Sequence, residues 1–523
     1  MKLVTVAQMR ELDRRTIEES NIPGEDLMDR AGWGVADHVR RMAEVAGFHF
    51  PSVLVIAGRG NNGGDGFACA RYLKEMGTSV EVWLAGAAAG IRGDALKHLS
   101  RMKAAGIKLR EIKTMEEWQE ERDYGHAANI VVDAVLGVGS SGPARGPAAG
   151  AIQFINARLQ EALIISVDVP SGLDADTGIP EGDVVCADVT VTMGLPKRGL
   201  VSPLALDCVG SIEVVDIGIP ADYVAELALE DERELIYLTD LKPLFPRRRR
   251  ATHKGHYGHV LLIGGARGYS GSIAMAAKAA LRSGVGLVTV VVPESIAGTV
   301  AGASLESMVV GARETSSGAL SKDMWADWKT RIHDYDAVLV GPGLTRGDDS
   351  RELVQQILAE CRVPLVLDAD AISVLPGRPE LIKKANCPVV ITPHPGELAT
   401  LLAKKAVDIQ EDRYASAGTA VEATGATVVL KGAGTIVAQE GRAPHINLTG
   451  NPGMATGGSG DVLAGLLVGF LGQKLKPFDV ARAAVYLHGR AGDMVAWRKS
   501  QAGLVAGDLI DELPYVFRDV ALR

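Results

Sequence analysis

The stretch Val53-Leu-Val-Ile-Ala-Gly-Arg-Gly-Asn-Asn-Gly-Gly-Asp-Gly66 decides the fold of the first half of the chain. Its apolar start predicts a buried strand at 53–56, and its glycine-rich remainder predicts a loop at 57–66. A helix is predicted at 67–76 and a second strand at 80–84. Strand, loop, helix and strand in this order form a βαβ unit, which implies a parallel sheet with a right-handed crossover.

The same pattern continues along the chain and indicates two α/β domains. Further elements of the first half are helices at 9–19 and 27–42 and strands at 130–133, 163–168 and 189–192. In the second half we predict a strand at 260–263, a glycine loop at 264–271, a helix that ends near 283, and strands at 286–292, 337–340, 365–367, 389–391 and 427–430. We expect two three-layer α/β/α domains with mostly parallel sheets, at 1–220 and 247–523, joined by a linker at 221–246.

The composition excludes several classes of protein. With 523 residues, of which 47% are apolar and 61 are glycine, the chain is expected to be globular and to hold two domains. The net charge of -9 argues against nucleic acid as a partner, because phosphate-backbone binding requires a basic surface. Five scattered cysteines form no CxxC pair, which predicts free thiols rather than a zinc site. The sequence shows neither a signal-peptide core nor a membrane-length apolar run, so we expect a cytoplasmic protein without a membrane partner.

A second glycine-rich stretch, Asn447-Leu-Thr-Gly-Asn-Pro-Gly-Met-Ala-Thr-Gly-Gly-Ser-Gly-Asp461, indicates phosphoryl transfer. It leads into an apolar segment that is compatible with a helix. Backbone N–H groups at a glycine-rich helix start can hold a phosphate or a developing negative charge. Asp461 stands at that junction, where a carboxylate can take a proton from a hydroxyl that attacks phosphorus. The alternative role for Asp461 is to cap the helix.

The glycine loop of the first half differs from an ordinary dinucleotide-binding loop. Gly58, Gly60 and Gly63 match the pattern G-x-G-x-x-G between a strand and a helix. An ordinary dinucleotide fold also needs a carboxylate at the end of the second strand, and that position is Ala85-Gly86 in this chain. The sequence therefore argues against a dehydrogenase.

Three motifs of the first half resemble the NAD(P)H-hydrate epimerase (YjeF N-terminal) family, whose domain is Rossmann-like. They are Asn61-Asn-Gly-Gly-Asp65, Val132-Asp-Ala-Val-Leu-Gly137 and Val167-Asp-Val-Pro-Ser-Gly-Leu173, in the family's order. The resemblance covers about residues 1–220. It implies a substrate site formed by Asn61, Asn62, Gly63, Gly64, Asp65, Gly137, Val138, Gly139, Ser140, Ser141, Gly142, Pro143 and Asp168. It also implies a potassium ion held by Asn62, Asp133 and Ser171, whose oxygen atoms suit a hard cation.

Two side chains of the first half are candidates for proton transfer. The resemblance makes Asp168 the acid–base residue of the epimerase, because exchange at the hydroxyl-bearing carbon requires proton transfer. The alternative for Asp168 is a loop cap at a strand end. Lys197 is a second candidate, but a surface lysine is the preferred interpretation.

Seven motifs of the second half resemble the ADP/ATP-dependent NAD(P)H-hydrate dehydratase family, within the ribokinase-like superfamily. They lie at 253–255, 264–265, 269–271, 341–343, 392–398, 431–435 and 450–458. The resemblance implies a nucleotide site at Lys431, Gly432, Ala433, Gly434, Thr435, Gly457, Gly458, Ser459 and Gly460, with Mg²⁺ accompanying ADP. It implies a substrate site at Ser272, Gly343, His394, Pro395, Gly396, Glu397, Leu398, Ala399, Thr400 and Asp461. For His394, a hydrogen bond to the backbone is the alternative role.

Together the two resemblances predict a bifunctional repair enzyme. The first half would interconvert the R and S forms of hydrated NADH or NADPH, and the second would dehydrate the S form at the expense of ADP. Both families tend to assemble, so we expect a homo-oligomer. The alternative is a ribokinase-like small-molecule kinase that makes a stable phosphorylated product, fused to a non-catalytic binding domain.

Overall fold

The computed structural model describes residues 1–124, 127–139, 142–158, 161–227 and 233–521. These residues divide into two compact units, Met1–Leu235 and Ile236–Arg523. Each unit is an α/β/α domain, as the sequence predicts. Within the described ranges, no helix combines the length and the apolar character that crossing a bilayer requires.

The described residues of unit 1 form a seven-stranded parallel sheet in the order β3-β2-β1-β4-β5-β6-β7. Its strands are β1 (Ser52–Ala57), β2 (Ser79–Ala85), β3 (Leu109–Ile112), β4 (Ile130–Ala134), β5 (Leu163–Val167), β6 (Val189–Met193) and β7 (Ser211–Val215), and a short strand β8 (Glu234–Leu235) ends the unit. The helices are α1 (Val6–Glu18), α2 (Gly24–Val45), α3 (Asn61–Glu75), α4 (Gly93–Ala104), α5 (Met115–Tyr124), α6 (Pro147–Asn156), α7 (Leu206–Val209) and α8 (Ala221–Glu226).

Helices cover both faces of this sheet because neighbouring residues of a strand point to opposite sides. On β1, Leu54 and Ile56 pack in the cluster that contains Trp118 of α5 and Phe154 of α6. Val55 instead faces α3 on the other side. This alternation produces the three layers.

Helix α3 begins at Asn61, six residues earlier than the sequence predicts. The reason is the close approach between backbone segments that glycine permits. A Cβ on Gly63 would lie 2.0 Å from the carbonyl oxygen of Gly58, and a Cβ on Gly58 would lie 1.9 Å from that of Val135. The residues expected in a loop therefore form the first turn of a helix directly behind β1.

Unit 2 contains a mostly parallel sheet in the order β11-β10-β9-β12-β13-β14-β15-β16-β17, in which β15, β16 and β17 pair antiparallel. Its strands are β9 (His259–Ile263), β10 (Leu287–Pro293), β11 (Met308–Ala312), β12 (Ala337–Val340), β13 (Leu365–Leu367), β14 (Val389–Ile391), β15 (Thr427–Leu430), β16 (Thr435–Ala438) and β17 (His445–Asn447). The helices are α9 (Leu238–Leu241), α10 (Ser270–Arg282), α11 (Ala297–Ala303), α12 (Trp325–Trp328), α13 (Asp348–Glu360), α14 (Asp370–Ser373), α15 (Glu380–Lys383), α16 (Pro395–Leu402), α17 (Ala406–Glu411), α18 (Arg413–Thr424), α19 (Ser459–Gly472), α20 (Pro477–Arg498) and α21 (Ala506–Val520).

Two glycines hold α10 and α19 in close contact. A Cβ on Gly465 would lie 2.2 Å from the carbonyl oxygen of Ala276, and a Cβ on Gly469 would lie 2.0 Å from Oγ of Ser283. The first turns of both helices carry predicted site residues, Ser272 on α10 and Asp461 on α19. The glycine contacts therefore help to position these two side chains.

The segment 221–246, which we expected to be a linker, is divided between the two units. In unit 1, Glu226 of α8 forms an ion pair of 2.9 Å with Arg15, and the backbone of Val224 accepts a hydrogen bond from Lys2. In unit 2, Leu241 of α9 is fully buried. These contacts make both ends of the segment part of a folded unit.

Candidate active sites in the two units

Unit 1 contains a cleft of about 950 Å³ that is lined by most of the predicted epimerase residues. The first turn of α3 contributes Asn61, Asn62 and Asp65, the segment after β4 contributes Gly137, Val138 and Gly139, and Asp168 and Lys197 complete that wall. Ser140 and Ser141 lie outside the described residues. The cleft stands where the strands β1, β4 and β5 end, which is the usual ligand site of a parallel sheet.

Four predicted substrate residues, Gly63, Gly64, Gly142 and Pro143, do not line the cleft. Gly63 and Gly64 are buried, and a Cβ would lie 2.0 Å from the Gly58 carbonyl oxygen at Gly63 and 2.5 Å from the sulfur of Met28 at Gly64, so close packing explains both glycines. Gly142 donates a backbone hydrogen bond of 2.5 Å to Glu181. Neither Gly142 nor Pro143 is among the residues that line the cleft.

Asp168 forms a buried ion pair with Lys197, and the expectation of a surface lysine at 197 was wrong. The Lys197 side chain is 1% exposed, and its ammonium group donates to Oδ1 of Asp168. It also donates to Oγ1 of Thr192 at 3.1 Å and to the carbonyl oxygen of Met193 at 3.0 Å. Asp168 has a φ of 65°, which places its backbone in the left-handed region that few residues adopt. The carboxylate is thereby held at the end of β5, facing the cleft.

Two further carboxyl groups stand close to this ion pair. Burial raises the pKa of Asp13 on α1 to about 6, an effect that Lys197 opposes and the charge of Asp168 increases. Burial also raises the pKa of Asp65 well above its ordinary value, and the charges of Asp168 and Asp13 add to this effect. Both groups therefore favour the protonated form much more than an exposed aspartate does.

Asp133, at the end of β4, is fully buried in a compact group of oxygen atoms. It accepts hydrogen bonds from the Ser166 hydroxyl at 2.8 Å, the Ser171 hydroxyl at 2.6 Å and the Ser171 backbone at 2.9 Å. Burial raises the pKa of Asp133 and these hydrogen bonds oppose that rise. The side-chain nitrogen of Asn62 donates to the carbonyl oxygen of Leu136 at 2.9 Å. The fold thus brings together the three predicted potassium ligands.

In unit 2, Asp461 lies in the first turn of α19, where the helix macrodipole favours negative charge. Burial nevertheless raises the pKa of Asp461 to about 6, and the charge of Asp368 adds to the effect. A hydrogen bond from Ser272 and the charge of Lys431 act in the opposite direction. A carboxylate with this pKa is a stronger base than an exposed aspartate and is still mostly ionised at neutral pH.

Lys431 connects the predicted nucleotide turn to this site. Its ammonium group donates to Oδ1 of Asp368 at 2.8 Å and lies 3.7 Å from Glu397. Burial alone would lower the pKa of Lys431, but these two carboxylates outweigh burial and raise it. A Cβ on Gly460 would lie 3.5 Å from Nζ of Lys431, so the ammonium group stands beside the start of α19. The site therefore combines a positive charge and a helix N-terminus, which together suit a phosphate.

Arg413 supports the turn that follows Lys431. Its guanidinium donates to the carbonyl oxygens of Leu430 at 3.1 Å, Lys431 at 3.3 Å and Gly434 at 3.4 Å. Gly432 and Gly434 both have positive φ, at 139° and 62°, as this sharp turn requires. The predicted nucleotide residues Lys431 to Thr435 therefore form a braced turn.

The predicted substrate segment 394–400 forms the start of α16. Nδ1 of His394 accepts hydrogen bonds from the backbone of Gly396 at 3.0 Å and Glu397 at 3.2 Å, so this histidine caps the helix. Leu398 and Ala399 point into the core and are 0% and 5% exposed. Their side chains are therefore unsuited to substrate contact. His394 and Thr400 remain exposed and Pro395 is half-buried.

The other predicted glycines of unit 2 lie where backbone segments approach closely. Gly343 has a φ of 67°, and a Cβ there would lie 2.7 Å from the carbonyl oxygen of Tyr269. Gly458 has a φ of 91° and caps α19, and its neighbour Gly457 has open space around it. The Ser459 hydroxyl lies 3.4 Å from Nε2 of His488, a buried histidine whose pKa burial lowers to about 4.

Sequence reasoning missed Asp13 and Asp368. Asp13 lies in a strongly charged run, 10–15, which is typical of a solvated helix face. Its position between Met9 and Thr16, four and three residues away on the buried face of α1, is the signal that could have identified it. Asp368 directly follows β13, and a carboxylate at the end of a parallel strand is a known sign of a site.

Comparison with known proteins identifies both units. Residues 24–199 match the family described as YjeF-related protein N-terminus, and residues 260–515 match the NAD(P)H-hydrate dehydratase family. The bifunctional NAD(P)H-hydrate repair enzyme Nnr of Moorella thermoacetica is 42% identical to this chain, over 99% of this chain and 97% of that protein. The chain belongs to the bifunctional NAD(P)H-hydrate repair enzyme family. It is therefore an enzyme with NAD(P)H-hydrate epimerase and NAD(P)H-hydrate dehydratase activities, as the sequence predicts.

One further relative agrees with this assignment. The enzyme of the same name from Escherichia coli is 36% identical, over 93% of this chain and 88% of that protein. Among solved structures, an ADP/ATP-dependent NAD(P)H-hydrate dehydratase from Bacillus subtilis, co-crystallised with ATP and Mg²⁺, is 27% identical with a TM-score of 0.48. It covers 56% of this chain and 100% of its own length. The sequence alternative, a kinase fused to a binding domain, has no counterpart in the full-length relatives described above.

Proposed function

We propose that Asp461 is the base of the dehydratase site and that the S form of hydrated NAD(P)H is dehydrated through a phosphorylated intermediate. Asp461 takes the proton of the ring hydroxyl while that oxygen attacks the terminal phosphate of ADP, and the bond between the two phosphates breaks to release AMP. The ring nitrogen lone pair then expels phosphate, and loss of a proton from the adjacent carbon restores the double bond. Phosphorylation turns a poor leaving group into a good one, which explains the need for a nucleotide. The observation that carries this proposal is the half-buried Asp461 carboxylate, which has a hydrogen bond from Ser272 and lies in the field of the Lys431 charge.

The nucleotide phosphates would lie between two backbone cradles. One is the turn from Lys431 to Thr435, and the other is the start of α19 from Gly457 to Gly460. Asp368 and Asp461 provide two neighbouring carboxylates, which fits a Mg²⁺ ion that keeps phosphate and water ligands. When bound, Mg²⁺ would supply positive charge to the donor phosphates. We propose ADP as the donor, because the two-domain arrangement is that of prokaryotic repair enzymes.

In unit 1, we propose that Asp168 is an acid–base residue for the exchange between R and S forms. The substrate would lie in the cleft against Asn61, Asn62 and the segment that begins at Gly137. The ion pair with Lys197 holds the carboxylate in one position, which is the condition for proton transfer at a defined atom.

The proposed potassium site fits the residues that surround Asp133. Asn62, Asp133 and Ser171 offer amide, carboxylate and hydroxyl oxygens, which are the ligands of a hard cation. In the described part of the chain, no group of three or more His, Cys, Asp or Glu side chains could hold a metal ion. A single carboxylate among neutral oxygens suits a monovalent ion better than a divalent one. When bound, potassium would fix the loops after β4 and β5 at the edge of the cleft.

One experiment tests both activities together. The purified chain is supplied with racemic hydrated NADH, Mg²⁺ and either ADP or ATP, in potassium or sodium buffer. Complete recovery of NADH with ADP requires both sites, whereas recovery that stops halfway indicates an inactive epimerase. Turnover with ATP alone would contradict ADP as the donor, and equal epimerisation in sodium would contradict the potassium site. Sedimentation of the same sample tests the expected homo-oligomer.

A further inference from the structure

The side chain of Asp13 lines the epimerase cleft without a clear structural partner. It projects from α1, whereas Asp168 stands at the end of β5 on the sheet. Oδ1 of Asp13 is shielded from solvent, and the described residues place no hydrogen-bonding group within reach of it. A buried carboxylate oxygen without a partner costs free energy, whereas a protonated carboxyl group in a ligand site can donate to the ligand.

The ammonium group that acts on Asp13, that of Lys197, is fully engaged elsewhere. An ammonium group has three N–H donors. In Lys197 they serve Asp168, Thr192 and the carbonyl oxygen of Met193. Lys197 therefore offers Asp13 long-range attraction but no hydrogen bond.

The cluster as a whole carries an excess of negative charge. Asp13, Asp65 and Asp168 all affect one another electrostatically, and Lys197 is the cation that acts on them. Full ionisation of the three acids would leave two negative charges that Lys197 does not balance. Since such charges are costly, the cleft favours a carboxyl group that keeps its proton.

Exchange of the two epimers requires such a proton donor as well as a base. The C–O bond of the hydrated ring breaks as the ring nitrogen lone pair forms a C=N bond, and the departing oxygen needs a proton to leave as water. Water then adds to the opposite face of the ring, the C=N bond returns its electron pair to nitrogen, and the added water must lose a proton. Two groups on different elements can serve the two faces, which one carboxylate cannot do without moving.

We propose that Asp13 is the second catalytic acid–base residue of the epimerase site, paired with Asp168. The Asp13 carboxyl gives its proton to the departing hydroxyl oxygen of one epimer, and the Asp168 carboxylate accepts the proton of the water that adds. The reverse reaction exchanges these roles, and solvent in the open cleft returns the proton. The inference rests on the proposed role of Asp168.

The test is the rate of epimer exchange in Asp13→Asn, measured from the pure S form of hydrated NADH without nucleotide. The two epimers are separated by chromatography at intervals. We expect kcat for exchange to fall by about 10²- to 10⁴-fold with little change in KM, as for loss of an acid–base group. ADP-dependent dehydration of the S form by the same chain should be unchanged. Glu11→Gln, an exposed carboxylate on the same helix, is the matched control and should exchange at the normal rate.

The pH dependence separates a chemical role from a structural one. If Asp13 donates a proton, the rate of exchange by the unaltered enzyme should decline as the pH rises through about 6. The pH–rate profile of Asp13→Asn should lack this decline. Asp65, Asp168 and Lys197 interact electrostatically with Asp13. The same cleft is also lined by the charged residues Arg10, Arg59, Asp94, Lys113 and Arg145. Asp65→Asn is measured beside Asp13→Asn because Asp65 is the other acid of the cleft whose pKa is raised. The decline in rate near pH 6 should persist in Asp65→Asn.

The following results would support or overturn the proposal. Exchange in Asp13→Asn within threefold of normal, or a higher KM with unchanged kcat, would overturn the proposal. If Asp13→Asn melts at a lower temperature than the unaltered enzyme, Asp13→Glu is measured as well. Exchange by Asp13→Glu that is at least tenfold faster than by Asp13→Asn supports the proposal. Equal exchange rates in these two variants overturn it. Normal exchange in Asp168→Asn would instead remove the role proposed for Asp168. Loss of exchange in Asp168→Asn together with normal exchange in Asp13→Asn would overturn the role of Asp13 and leave that of Asp168.

Discussion

Replacement of Asp461 by asparagine should abolish dehydration while it stabilises unit 2. Asparagine has nearly the same shape and can still accept the hydrogen bond from Ser272. It cannot take the proton of the ring hydroxyl, so we expect kcat to fall by about 10²- to 10⁴-fold. The fold should not suffer, because the change removes a charge that is partly shielded from water.

The size of the stabilisation follows from the pKa of Asp461. Its ordinary value is 3.8 and its value in the folded chain is about 6. Each pKa unit corresponds to about 1.4 kcal/mol, so the ionised group costs folding up to about 3 kcal/mol. Because the folded chain binds the proton more tightly than the unfolded chain, this cost is absent below pH 3.8, grows between pH 3.8 and about 6, and is complete above that pH. The asparagine variant should therefore gain most stability at pH 7 and above.

The same pKa sets the pH dependence of dehydration. The base must be ionised, so the rate with the S form and ADP should rise as the pH increases through about 6. At pH 5 about one tenth of the enzyme would be active. The assay follows the absorbance of reduced nicotinamide, and thermal unfolding at pH 5 and pH 7.5 gives the stability.

Asp348→Asn is the matched control, since it alters an exposed carboxylate in the first turn of α13. It should change neither rate nor stability. Full-rate dehydration by Asp461→Asn, or a rate that is constant between pH 5 and pH 7.5, would refute the role of Asp461 as base. Loss of activity together with lower stability would show a structural role instead.

Three further outcomes are expected. Gly63→Ala should destabilise unit 1 and abolish epimerisation, because its Cβ would lie 2.0 Å from the Gly58 carbonyl oxygen. The control Gly60→Ala has open space around the added Cβ and should change neither stability, measured by urea unfolding, nor the rate of epimer exchange. Lys431→Met should leave the buried Asp368 carboxylate unpaired and lower the rate of dehydration by at least tenfold, while epimer exchange stays unaffected. A normal rate of ADP-dependent dehydration would contradict the proposal that this lysine binds a phosphate. Replacement of potassium by sodium should slow epimer exchange and leave dehydration of the pure S form unchanged, and a dependence of both activities on potassium would point to a site elsewhere.

The buried strands could be predicted from the sequence because they are continuous apolar runs. The strands at 337–340, 365–367, 389–391 and 427–430 have the predicted bounds. Parallel strands covered on both faces require apolar residues at every position, and that signal is local. The edge strands β3 and β11 were missed because they are partly exposed and include charged or small residues.

The candidate sites could be predicted as motifs, but their contacts could not. Whether Lys197 faces solvent or Asp168 depends on how the segment after β6 returns to the end of β5, and spacing along the chain does not contain that information. In the same way, the burial of Leu398 follows from the start of α16 rather than from its motif. Asp13 enters its cleft from a helix more than 150 residues away from Asp168 along the chain. Long-range packing decides such cases.

The glycine contacts between α10 and α19 also determine where this enzyme can be redesigned. A larger side chain at 465 would meet the Ala276 carbonyl and one at 469 would meet Ser283, so either would push α19 away from α10 and move Asp461 with it. A displacement of about 1 Å at a reacting group can cost on the order of 100-fold in rate. A mutant library designed to accept a different alcohol substrate should therefore leave both glycines unchanged. It should vary His394 and Thr400, whose side chains are exposed to solvent.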